Sequence, residues 1–161
     1  MKKMFRLAAR GPAAVGGWAG LVLVVMAACA PGADDLLKDG YYTAEAAGFD
    51  SKGWKEYITI YILGGRIVSA EYNSRNASGF VRSWDMADKR RSTMTRGTNH
   101  GKYSRIYTAA LLNRQDPDKL TPIPGAVQAL AGFRILVEAA LGQARDGNRR
   151  VTFVRLWTEA E

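Results

Sequence analysis

The sequence predicts an α+β domain, a small antiparallel β-sheet covered by two or three helices, standing after a cleaved signal peptide. Three observations predict it. A Thr-Pro-Ile-Pro-Gly approach and the amphipathic helix pattern that follows it occupy residues 121–144, an alternating hairpin occupies 54–63 and 66–72, and a basic, apolar start ends on the chain's single cysteine. Strands come first, helices follow and a strand closes the chain, an order that suits a segregated sheet and helix layer rather than repeating βαβ units.

Lys2, Lys3, Arg6 and Arg10 form a basic start, an apolar run covers 13–28, and Met26-Ala27-Ala28 leads into Cys29. This reads as a lipoprotein signal peptide over 1–28, with cleavage ahead of an acylated Cys29. The other reading is an uncleaved anchor. Gly16, Gly17 and Gly20 interrupt the run, and it is short beside the ~20 residues of a spanning helix. Residues 29–38 then form a lipidated tether, and 39–157 form the domain. The expected location is the bacterial cell envelope, outside the cytoplasm, with the membrane as partner through the lipid.

Cys29 is the only cysteine, so the mature domain has no intramolecular disulfide and no thiol catalysis. The formal charge is +8, from 23 basic and 15 acidic residues. Four of the basic residues precede Cys29, leaving 19 against 15, or +4. That surplus is spread over Lys89-Arg90-Arg91, Arg145 and Arg149-Arg150. It reads as solvated surface or anionic-lipid contact, and nucleic acid is not an expected partner.

Asp39-Gly40 signals a turn, and 41–46 has the aromatic and β-branched character of a first strand. After a polar loop at 48–53, Trp54, Glu56, Ile58, Ile60 and Ile62 alternate with Lys55, Tyr57, Thr59 and Tyr61. Gly64-Gly65 supplies positive φ, and 66–72 returns as the second arm of a hairpin. Residues 73–83 read as loop. Residues 84–95 read as a short surface helix with Trp84 and Met86 facing in, broken by Gly97-Thr98-Asn99-His100-Gly101. A helix over 103–115 places Tyr103, Ile106, Tyr107, Ala110 and Leu111 inward, and Asp116-Pro117-Asp118 stops it.

The last helix buries Val127, Leu130, Phe133, Leu136, Val137, Ala140 and Leu141, while Gln128, Arg134, Glu138 and Gln143 stay wet. Two prolines rigidify its approach and Gly125 is the available cap, without a Ser, Thr, Asp or Asn side chain beside it. Its first N–H groups are left to water or to an anion. Arg145-Asp146-Gly147-Asn148 ends the helix, 151–156 reads as a final strand, and 157–161 as a frayed tail.

Catalytic patterns are scarce. His100 is the one histidine and reads as a surface or packing residue, no metal-ligand spacing occurs, and the serines lack a nucleophile elbow. There is no Gly-x-Gly-x-x-Gly or Walker pattern. What remains is an aromatic group, Trp54, Tyr57, Tyr61, Trp84 and Tyr103, which suits either a core or a flat heterocycle. The residues by themselves suit a binding protein better than an enzyme.

From residue 37 to about 153 the chain resembles the FMN-binding domain of bacterial membrane-anchored lipoproteins (the major membrane immunogen-like branch) and of the flavin-carrying C subunit of the sodium-translocating quinone reductase. The residues that carry the resemblance are Asp39-Gly40-Tyr41-Tyr42-Thr43-Ala44, Phe49-Asp50-Ser51-Lys52-Gly53-Trp54-Lys55-Glu56 and Gly65-Arg66-Ile67. Asn76-Ala77-Ser78-Gly79, Gly97-Thr98-Asn99, Arg114-Gln115-Asp116 and Pro124-Gly125-Ala126 also match. The resemblance implies extracytoplasmic electron transfer through bound flavin, with membrane redox partners.

Covalent members of that family carry an Asp, a small residue, Gly, Ala and then a Thr or Ser that a flavin transferase joins to the FMN phosphate. This sequence has Pro122, Pro124 and Val127 at the acid, small-residue and acceptor positions, and valine has no oxygen to esterify. The resemblance therefore implies noncovalent FMN. Its phosphate would lie on the N–H groups of Gly125, Ala126 and Val127, helped by Thr98 or Asn99, and its ring against Trp54 or Trp84. The other reading is a non-redox binding or accessory lipoprotein on the same scaffold.

Overall fold

A computed structural model describes residues 36–156; the expected signal peptide, Cys29 and most of the expected tether lie outside the described residues, as does the tail from Trp157. Four strands and three helices follow in the order β1 (Gly40–Ala46), β2 (Lys55–Leu63), β3 (Arg66–Arg75), α1 (Met86–Arg96), α2 (His100–Arg114), α3 (Val127–Asp146) and β4 (Thr152–Val154). Short 3₁₀ turns at Arg82–Trp84 and Pro117–Lys119 precede α1 and α3. The fold is α+β, as expected.

The sheet order is β3-β2-β1-β4. β1, β2 and β3 are antiparallel, as the hairpin pattern requires, but β4 runs parallel to β1 and makes the sheet mixed. The parallel pairing follows from connectivity: α3 carries the chain back across the sheet, so the strand after it re-enters in the direction of β1.

On the inner face of β2, Glu56, Ile58, Ile60 and Ile62 are buried, which is the face that period-two alternation assigned. A bulge leaves Val68 unpaired between Ile62↔Ile67 and Tyr61↔Ser69. That extra residue changes the parity of β3, so Ile67 and Tyr72 both face inward. These side chains pack against Tyr103, Tyr107 and Leu111 of α2 and against Leu130, Phe133, Leu136, Val137 and Ala140 of α3. The opposite face carries a cross-strand ladder, with Tyr41 stacked on Tyr61, Thr43 bonded to Thr59, and Glu45 held by Arg75 and Lys55.

The helices correct several expected orientations. Trp84 and Met86, expected inward, are each 68% exposed, because α1 turns Asp88 and Ser92 toward the domain instead. Val127, expected in the buried stripe of α3, is 59% exposed: Ala126 before it and Leu130 after it take the inward positions of the first turn. Ile106 also lies outward on α2. Arg134, expected wet, donates to the carbonyls of Pro117, Asp118 and Leu120 and fixes the loop before α3. The loop expected over 73–83 begins three residues late, because β3 runs on to Arg75. Among the described residues no helix is long and apolar enough to cross a membrane.

Candidate functional site

The approach to α3 is a type II turn. Pro124 takes the first corner, Gly125 the second with φ of 77°, and the N–H of Ala126 donates to the carbonyl of Ile123 at 2.9 Å. Tyr107 ties this turn to α2, its hydroxyl donating to the carbonyl of Ala126 at 3.0 Å and accepting from the N–H of Ile123 at 3.2 Å. Ala126 caps α3 without a side-chain hydrogen bond. The N–H of Ala126 is thus spent inside the turn, and the donors left at the helix mouth are those of Val127, Gln128 and Ala129.

The end of α1 comes to the same place. Gly97 closes α1 with φ of 70°, Thr98 is buried at 3% exposure, and Asn99 caps α2 by accepting from the N–H of Lys102. The Asn99 amide also donates to Thr93 Oγ1 and so joins the two helices. A Cβ on Gly125 would overlap the carbonyl oxygen of Arg96 and stand 3.2 Å from the Thr98 methyl. Arg96 and Thr98, distant in sequence from Gly125, therefore meet it at the mouth of α3, and Asn99 follows Thr98 in the same loop. The Thr98 hydroxyl there has no hydrogen-bond partner among the described residues.

The two tryptophans are placed elsewhere. Trp54 is buried beneath the Arg82 guanidinium, 5.6 Å from its ring centroid. Trp84 stands on the surface with the edge of Phe80 against it, ring centroids 6.4 Å apart. Trp54 is further tied to Asp50 through its backbone N–H and carbonyl.

Several residues that carry the family resemblance shape loops. Asp39 Oδ1 accepts from the N–H of Gly64, locking the hairpin turn onto the start of β1. Asp50 Oδ1 accepts from the N–H groups of Lys52 and Trp54. Asn76 Oδ1 accepts from Ser78 and Phe80.

No family model matches the chain. It is similar to the 15 kDa lipoprotein of Treponema pallidum (strain Nichols), 28% identical over 140 residues that span 87% of this chain and 97% of that protein. The crystal structure of the CPE2226 protein from Clostridium perfringens superposes with a TM-score of 0.72 and 30% identity, covering 76% of this chain and all of that one. The chain belongs to the CPE2226 family.

In this member of the CPE2226 family, a buried polar centre lies under α1 that the sequence reading did not assemble. Tyr72 donates to Glu56 at 2.8 Å, Ser74 Oγ and His100 Nε2 lie 2.9 Å apart, and Arg82 pairs with Asp88 at 3.0 Å. The His100 ring stands between Tyr72 and Tyr103, and its Nδ1 has no partner among the described residues. Burial, with the Arg82 charge adding to it, pushes the imidazole down to about 3, so His100 is a neutral packing residue at ordinary pH. Burial also raises Glu56, against the hydrogen bond from Tyr72. The signal was present in Glu56 and Ser74, polar residues at inward positions of β2 and β3. Their partners are Tyr72 on the neighbouring strand and His100 at the start of α2, pairings that periodicity does not specify.

Proposed function

We propose that the chain is an extracytoplasmic lipoprotein, anchored through Cys29, whose domain binds FMN noncovalently and serves membrane electron transfer. The 15 kDa lipoprotein of Treponema pallidum supports the anchoring, together with the basic start and apolar run that lead to Cys29. The flavin reading rests on one observation: the uncapped mouth of α3 lies beside Thr98, whose buried hydroxyl lacks a partner. A donor-lined helix start of this kind fits a phosphate.

The N–H groups of Val127 and Gln128 and the Thr98 hydroxyl would hold the phosphate, and Asn99 keeps the loop that carries Thr98 in place. Bound FMN supplies electron transfer in one- or two-electron steps. Val127 has no hydroxyl, so nothing at its position ties the cofactor covalently. Titration with FMN and with riboflavin, followed by quenching of tryptophan fluorescence, tests the site. FMN should bind more tightly by about 1.5–3 kcal/mol, the range for hydrogen bonds to a charged group. Equal affinity for the two removes the helix mouth from the mechanism.

A second reading, a non-redox binding or accessory lipoprotein on the same scaffold, is favoured by the position of Trp54. Its ring already carries the Arg82 guanidinium, so it offers less to a flavin. Absence of saturable binding of either FMN or riboflavin selects this reading.

A further inference from the structure

Helix α1 is built with its polarity reversed. The residues it buries are Asp88 and Ser92, one turn apart, with Asp88 paired to Arg82 and Ser92 bonded to Arg96. Its apolar residues Met86, Ala87 and Met94 face outward and line a shallow open groove with Arg90 and Arg91. Met94 is 81% exposed, and Trp84 and Phe80, packed on each other just ahead of the helix, are exposed as well. Water alone would favour the opposite arrangement.

The charges on this helix identify its partner. Lys89, Arg90, Arg91 and Arg96 are exposed, whereas the two acids nearby are occupied: Asp85 accepts from the backbone at the start of α1 and Asp88 faces Arg82. An outward face that is cationic and apolar repels a second copy of itself and complements an anionic lipid surface, into which Met and Trp side chains insert between basic residues. We propose that α1 and the Phe80–Trp84 surface dock on an anionic bilayer and hold the domain flat against the membrane. Under the lipoprotein reading, on which the proximity of a bilayer rests, the seven steps from Cys29 to Leu36 span at most about 25 Å, which keeps the domain next to the bilayer.

The full acylated chain carrying Met94→Cys, with a nitroxide on the new thiol, is reconstituted in vesicles with and without phosphatidylglycerol, and the depth of the label is read from its accessibility to oxygen and to an aqueous relaxant. Flotation of the vesicles reports the anchor separately, and circular dichroism confirms the fold. The label should be buried in the phosphatidylglycerol vesicles and wet in pure phosphatidylcholine. Lys89→Gln, Arg90→Gln and Arg91→Gln should each weaken docking about fivefold. A label that stays wet on anionic vesicles to which the chain floats overturns the docking and leaves the anchor standing. Failure to float on anionic vesicles overturns both. Docking that ignores the three neutralisations, or a label buried without vesicles in a chain that sediments as a dimer, also overturns the proposal.

Discussion

Gln115 pairs its side-chain amide with both backbone groups of Ile67, accepting from the N–H at 2.8 Å and donating to the carbonyl at 2.9 Å. The amide acts as a one-residue strand on the outer edge of β3, beside the bulge at Val68. To reach this position Gln115 adopts φ of 59°, which makes it the non-glycine residue with positive φ among those described.

Gln115→Ala should therefore cost about 1–3 kcal/mol, because two backbone groups of a buried residue lose their partner at once. Gln115→Gly loses the same pair but relaxes the left-handed backbone, and should be less harmful than alanine by about 1 kcal/mol. Urea denaturation of the three proteins measures both effects. Equal stability of Gln115→Ala and the parent would show that the edge is satisfied by water.

Gly125→Ala should destabilise by about 1–3 kcal/mol, since φ of 77° is strained for alanine and the added methyl would overlap the Arg96 carbonyl. Gly142→Ala provides the contrast. It lies within α3 with nothing within 4 Å of the new methyl, so it should stabilise by about 0.5–1 kcal/mol. Thermal unfolding of both variants checks whether the contact between Gly125 and α1, rather than glycine entropy, sets the sign.

His100 should make stability depend on pH. Its folded-state value of about 3 lies below its ordinary 6.5, so the unfolded chain binds the proton more readily. The stabilising term is complete above about pH 6.5 and is lost as the pH falls toward about 3, with a slope of at most ~1.4 kcal/mol per pH unit. Glu56, raised by burial, works in the opposite sense and loses stabilisation as the pH rises through its own titration. In denaturation curves at a series of pH values, the difference between parent and His100→Gln should shrink from pH 7 to pH 4. A constant difference would mean that His100 takes up its proton equally in the folded and unfolded chains.

Covalent attachment should fail. Co-expression with a flavin transferase should leave the mass of the domain unchanged, because Val127 stands where the acceptor hydroxyl is needed. An FMN-sized increment on any Thr or Ser would reverse this. The same intact-mass measurement on membranes should find a chain that starts at acylated Cys29, and Cys29→Ser should accumulate as an unprocessed precursor.

Some of the molecule was legible before any coordinates. Alternation over 54–63 assigned the inner face of β2, and Gly64-Gly65 placed the hairpin turn. The three- and four-residue spacing from Leu130 to Leu141 described the packed face of α3. These features depend on which side of its own segment a residue occupies, and chain geometry fixes that locally. The uncapped start of α3 was legible for the same reason, since a cap is a matter of neighbouring side chains.

Tertiary structure decided which segments meet. It set β4 parallel to β1, brought Arg96 and Thr98 against Gly125, and placed the Arg82 guanidinium over Trp54. It also inverted α1, whose sequence pattern is weak because the residues that bind it to the domain are Asp88 and Ser92. A polar residue goes inside only when a partner from a distant segment satisfies it, and no local period records where that partner comes from.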